Sequence, residues 1–173
     1  MKIRETTLFD KVPQLRYAVY AAVAVVLAIA DFLLIPLIEI QGVVPDIIVI
    51  LVVWIAISEG QLLGIISGFL CGLLVDFLSY EGVLGVHALV NTLAGFTAGY
   101  FFKESRTTLT LQTYRFVLIL FLATFVHNTI FSFLYIRTTE ATLIEFFTKY
   151  VFAKSVYTIV FGTIPVLFRS LRN

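Results

Sequence analysis

The chain is poor in charge, in cysteine and in polar sequence long enough to fold alone. Only 13% of its 173 residues are Asp, Glu, Lys or Arg, and the formal balance is +1. No basic face is available to hold nucleic acid, which excludes that partner class. The one cysteine, Cys71, rules out a disulfide framework or a paired-thiol redox site. Its place in an apolar run, next to Gly72, reads as a small buried residue. No polar stretch has room for a soluble catalytic or ligand-binding domain, and no low-complexity tract, solenoid period or Gly/Ser-rich linker divides the sequence. Residues 1–173 therefore read as one domain whose function lies in its apolar segments.

Those segments dominate. Hydrophobic residues make up 60% of the chain and aromatics 15%, and the mean hydropathy is +1.02. This is the composition of an all-α integral membrane protein with several spans. Six apolar stretches predict six transmembrane helices in one bundle, at about 17–38, 43–58, 62–78, 83–102, 116–136 and 146–168. The second is short: at 1.5 Å per residue it covers roughly 24 Å, so it must stand nearly upright or sit where the bilayer thins. Connections at 58–61 and 79–82 are tight enough to require antiparallel hairpins.

Basic residues are retained on the cytoplasmic side of a membrane. With six spans, Lys2, Arg4, Lys11, Arg16, Lys103, Arg106, Arg115, Arg169 and Arg172 share one side, against Arg137 and Lys149 on the other. Both termini are then cytoplasmic, in a multi-pass membrane protein. Ala28-Ile29-Ala30 imitates a signal-peptidase site, but the apolar run continues through Phe32, Leu33, Leu34, Ile35 and Leu37, as expected of an uncleaved first span. Pro36 would kink or end it. Trp54 and tyrosines such as Tyr17, Tyr80, Tyr100, Tyr114 and Tyr135 fit interfacial anchoring or packing.

Glycine recurs every fourth residue in GQLLGIISGFLCGLLVDFLS, at Gly60, Gly64, Gly68 and Gly72, and the next step lands on Asp76. Each four-residue step drifts by only about 40° around a helix, so the last three glycines and Asp76 share a face. In lipid, small residues let helix backbones approach and gain van der Waals contact. A second such ridge runs through His87, Asn91, Gly95 and Gly99, and the fourth span is the first candidate to meet the glycine face.

Ionisable groups in spans cost about 2.5–3.5 kcal/mol near a helix centre, so they usually face protein, water or each other. Asp31, Asp46, Asp76, His87, Asn91 and Lys154 all fall in the outer half and read as a structural or partner-binding polar cluster. Lys154 either pairs with Asp31 or another outer-half carboxylate, or extends toward the interface with its stem in apolar surroundings. His127 and Asn128, mid-span, read as interhelical hydrogen-bond partners. Asp and His without a nucleophile on a matching face make no triad, and the His and Asp positions lack a compact metal-ligand spacing. The expectation is a protein that is not an enzyme and needs no cofactor or metal.

The run PDIIVILVVWIAISEGQLLGIISGFLCGLLVDFLSYEGVLGVHAL resembles the rod shape-determining protein MreD family. It shares that family's Pro-Asp opening, short second span, GFxxGLLxD core and LGxxAL start of span four. Val83 stands where family members commonly have proline before the LG pair. The resemblance implies a non-catalytic membrane component of the cell-elongation complex, needed for rod shape and lateral peptidoglycan synthesis. It implies MreC as the direct partner and MreB, RodA and a class B penicillin-binding protein as indirect ones. The family's architecture is similar to the substrate-binding subunits of energy-coupling-factor vitamin transporters, which supplies an alternative function. Such subunits often carry Ala-xxx-Ala on span one, matched weakly here by Ala18-xxx-Ala22 and Ala24-xxx-Ala28. Their nickel or cobalt versions place a His at the extreme N-terminus, and none precedes His87.

Overall fold

The structure, a computed structural model, describes residues 13–79, 83–111, 113–135, 144 and 147–171. Each of the six apolar stretches is helical, and the helices differ in length. They are α1 (Pro13–Leu33), α2 (Ile47–Glu59), α3 (Gln61–Leu78), α4 (Val86–Gly99), a short α5 (Thr107–Leu111), α6 (Tyr114–Tyr135) and α7 (Lys154–Leu171). A π-helical segment, Phe147–Ala153, leads into α7. Among the described residues three helical segments are long and apolar enough to cross a membrane: Gln14–Leu33, Gln61–Leu78 and Tyr114–Leu134. Tyr80, Arg137, Arg172 and the basic residues before Pro13 lie outside the described residues.

Local chemistry sets the helix ends. The first stretch stops being α-helical at Leu33, and Pro36 sits in a 3₁₀ turn, Ile35–Ile38, so proline ends the helix instead of bending it. The chain then reverses through Gln41 and Gly42, both at positive φ, while Ile40 and Val43 exchange backbone hydrogen bonds of 3.0 and 2.9 Å. Helix α2 begins only at Ile47, four residues later than its apolar run, because Asp46 is its N-cap and accepts from the Val49 N–H at 3.1 Å. With 13 residues it is shorter than expected. Gly60 alone joins α2 to α3 at φ +102°, a conformation that favours glycine. The first member of the glycine ladder is therefore a turn residue and not part of the packing ridge.

Helix α2 is apolar on all sides and sits at the centre. Ile48, Leu51, Val52 and Ile55 pack with Ala24 and Ala28 of α1 and with Cys71 and Val75 of α3. Val49, Val53, Ala56 and Ile57 pack with Ala94 and Ala98 of α4 and with Phe116, Ile119, Leu120 and Ala123 of α6. Cys71 is buried, as its setting suggested. Of the two alanine pairs on α1, Ala24 and Ala28 are taken up by this packing and Ala18 and Ala22 stay exposed. Helix α1 begins beside Glu59, through an Arg16 ion pair of 2.9 Å. Helix α7 finishes toward the same end, where Val166 packs against the second cluster.

Gly64, Gly68, Gly72, Gly95 and Gly99 bring the backbones of antiparallel α3 and α4 together. A Cβ on Gly72 would meet the His87 carbonyl and Ala88, one on Gly68 the Asn91 carbonyl, and one on Gly95 the backbone of Gly64. A Cβ on Gly64 would also stand 2.5 Å from that of Ala56, and one on Gly99 would meet Gln61. Each four-residue step forward on α3 thus matches a four-residue step back on α4, and the two ridges meet face to face. Because the opposing atoms are backbone, they cannot yield as a flexible side chain could.

Gly68→Ala is therefore expected to destabilise the folded protein by about 1–3 kcal/mol, and Gly68→Leu by more. Thermal unfolding in detergent reads the difference against Leu62→Ala, an exposed position on the same helix. An unfolding temperature that does not move in either glycine variant would show that these backbones are not in contact.

Candidate functional site

The first turn of α4 has no capping side chain of its own, since its N-cap is Gly85. Asp76, at the end of α3, replaces it. Its Oδ2 accepts from the N–H groups of Gly85 and Ala88, both at 3.0 Å. Its Oδ1 accepts from the His87 N–H at 3.1 Å and faces His87 Nδ1 at 2.9 Å. A carboxylate offers about four acceptor positions, so Asp76 is saturated. The remaining N–H of the turn, that of Val86, bonds the Val83 carbonyl at 3.3 Å. Every backbone donor that a helix start leaves open is accounted for, and the negative charge sits where the helix dipole favours it. With a carboxylate opposite, His87 Nδ1 carries its proton.

Asp46 does the corresponding work for α2 and ties it to two other helices. Its backbone N–H donates to Thr158 Oγ1 of α7 at 3.0 Å, and its Oδ2 stands 3.5 Å from Nε2 of buried His127 on α6. A separate directed series meets the other side of the His127 ring. Ser155 Oγ donates to the Val151 carbonyl at 2.7 Å and so accepts from Asn128 Nδ2 at 2.9 Å. That turns Asn128 Oδ1 toward His127 Nδ1, 3.2 Å away, which must then be the protonated nitrogen. Asn128 thus serves as the interhelical partner expected of it, whereas the His127 ring bonds within its own helix and its Nε2 has no hydrogen-bond partner among the described residues.

Phe131 lies among the rings and charges of this end. Its centroid is 5.1 Å from that of His87 and 6.1 Å from that of His127, with which it is stacked. The Lys154 ammonium stands 5.2 Å from the same centroid, a cation–π distance. Among the described residues no ion pair of 4.0 Å or less joins Lys154 to a carboxylate. Its charge still acts on Asp31 and Asp46, which places the three in one neighbourhood. Lys154 thus sits in the neighbourhood of both carboxylates with its ammonium over the Phe131 ring. Asn91 is fully buried in the α3–α4 seam, and its Oδ1 has no hydrogen-bond partner among the described residues.

The six predicted polar residues accordingly fall into two linked groups. Asp76 and His87 close the α3–α4 turn, with Asn91 one helical turn deeper. Asp46, Lys154 and Asp31 surround the α2–α6–α7 junction. Sequence reasoning missed Thr158, Ser155 and Phe131, which look like ordinary span residues until their partners are known. It also missed Glu59 at the opposite end, which binds Arg16 at 2.9 Å and accepts from Tyr20 Oη at 3.0 Å. The signal available there was an acidic residue beside a turn glycine.

The chemistry of this arrangement is positional. Ser155 bonds Asn128 and a carbonyl and contacts no histidine, so it is not activated as a nucleophile. No group of three or more His, Cys, Asp or Glu with metal-binding geometry occurs among the described residues. The cavity at this end, about 670 Å³, is lined by residues such as Gln41, Lys149 and Tyr157 and by none of the six.

The family model for rod shape-determining protein MreD matches residues 14–168, nearly the whole described chain. No curated protein and no solved structure matches.

Asp76→Ala should leave three backbone N–H groups of α4 without partners and cost about 2–4 kcal/mol. Asp76→Asn, which keeps an acceptor oxygen, is expected to fall between the two. Denaturation in detergent measures both, and equal stability of Asp76→Ala and the parent would show the cap to be dispensable.

Proposed function

We propose that this chain, which belongs to the rod shape-determining protein MreD family, is a non-catalytic component of the bacterial cell-elongation complex. In this reading it spans the cytoplasmic membrane six times as one domain, with both termini in the cytoplasm, in an architecture similar to the transporter substrate-binding subunits. It binds MreC directly and is coupled through the complex to MreB, RodA and a class B penicillin-binding protein, and so to lateral peptidoglycan synthesis.

The observation that carries the reading, beyond the family match, is how the polar groups are used. Asp76 fills all its acceptor positions within the chain, the Asp46 N–H bonds Thr158 of α7, and Asn128 of α6 bonds Ser155 of α7. Groups bonded in this way hold helices in place, which supports a structural role for them. Topology finds support in the start of α1 and the finish of α7 at one end of the molecule. Lys103, Arg106 and Arg115 fall at that end as well, in the connection between α4 and α6.

Depletion in the host should convert rods to spheres and release MreC from the complex. Cells that keep their rod shape but lose uptake of a vitamin would establish the transporter alternative instead. Topology is tested with single cysteines in a Cys71→Ala background. An impermeant thiol reagent should label Gly82→Cys in intact spheroplasts and Ser105→Cys only after permeabilisation, and the reverse pattern would invert the protein in the membrane.

A further inference from the structure

The segment between α4 and α6 sorts its charges. Glu104, with Ser105, Thr107 and Thr108, lines a polar cavity of about 710 Å³ that also contains Arg16 and Glu59. Lys103 and Arg106 line a separate groove of about 320 Å³, together with Arg115 from the first turn of α6. All three cations are exposed. Among the described residues none of them is in an ion pair of 4.0 Å or less. Beyond the basic rim the groove is lined by Leu118, Ile119 and Leu122 on successive turns of α6. Leu118 and Leu122 are exposed apolar residues on a helix long enough to cross a membrane.

We infer that this groove binds an anionic phospholipid, with the phosphate held by Lys103, Arg106 and Arg115 and an acyl chain laid along the Leu118–Leu122 face of α6. The charge is complementary and belongs to the groove, because the neighbouring carboxylates face elsewhere: Glu104 toward the other cavity and Glu59 toward Arg16. The order of the lining matches the order of the ligand. Cations stand at the end of α6, where a headgroup lies, and leucines stand along its length, where the chain lies. Basic pockets between membrane helices recognise anionic headgroups in this way, and arginine offers phosphate a two-pronged contact that lysine supplements as a point charge. The groove volume is near the lower bound of ligand pockets, about 300 Å³, which suits a headgroup with the chain outside it. This inference does not depend on the role in cell shape.

The test uses the full chain in a neutral detergent, with native mass spectrometry and thermal unfolding as readouts. Phosphatidylglycerol is expected to stay bound and to raise the unfolding temperature, whereas phosphatidylcholine and inorganic phosphate do neither. Each of Lys103→Gln, Arg106→Gln and Arg115→Gln should weaken phosphatidylglycerol binding about fivefold, and the triple variant about 100-fold. The single variants decide the matter where the triple variant does not fold. Equal binding of phosphatidylcholine overturns the proposal, as does a full response to inorganic phosphate. So does an equal loss in the control Lys2→Gln/Arg4→Gln/Lys11→Gln, which would reveal diffuse attraction instead of a site.

Discussion

The contact between the backbones of α3 and α4 is the constraint on which the rest of the structure depends. Gly64, Gly68 and Gly72 remove the side chains that would hold the helices apart, and Asp76, on the same face, fixes where along each other they stop. The two effects are inseparable. Sliding α4 by one residue would take its N–H groups off the Asp76 oxygens and would misalign Gly95 and Gly99 with α3. Close approach alone would leave the register soft, because a glycine face is smooth. A buried carboxylate alone would be costly. Together they make one register far better than its neighbours, and Ala56 of α2 then seats against Gly64 to bring in the central helix.

The same economy explains why α2 tolerates being short. A 13-residue helix extends about 20 Å, well under the roughly 30 Å of a bilayer core. It is not asked to face lipid along its length, because α1, α3, α4 and α6 surround it. Its open ends are served by neighbours: Asp46 caps the first turn and is itself tied to α6 and α7, and Glu59 at the other end receives Arg16 and Tyr20 of α1. Helix α1, by contrast, buries little beyond Ala24 and Ala28 in the core. Its attachment rests on small residues in the middle and an ion pair at one end, so it is the least enclosed of the long helices.

The fold was legible in the sequence wherever a period carried the information. Apolar runs located the helices, and the four-residue glycine step identified both the tight face of α3 and its partner. Ends were less legible, because a cap or a turn interrupts a helix without interrupting hydrophobicity. Val43 and Val44 are as apolar as the residues after Asp46, and Pro45 with the Asp46 cap separates turn from helix. Gly60 kept the period and yet left the ridge, since periodicity does not reveal φ. At the site, residue depth suggested a single polar cluster but could not assign partners, and the residues divide between the α3–α4 turn and the start of α2. Lys154 shows the difference. Its depth matched that of Asp31, while its nearest described ring is Phe131, a residue with nothing in its type or spacing to mark it. Partnership depends on rotation of α6 and α7 about their axes, and with so many phenylalanines in those helices the sequence pattern leaves that angle open.

The direction of the hydrogen bonds bears on what such a protein can do. A site that turns over substrate needs donors and acceptors left free for the reacting group, and a transport site needs them facing a space. Here Asp76 has no vacant acceptor position, Ser155 both accepts and donates within the helices, and Asn128 is oriented by the partners on either side of it. These groups therefore act on the protein itself: Asp76 fixes α4 against α3, and the bonds to Thr158 and Ser155 tie α2 and α6 to α7. What the chain presents outward is its apolar helix faces and the basic rim near the start of α6. A change at Asp76 or Gly68 would therefore be felt at those surfaces through the register of α3 against α4.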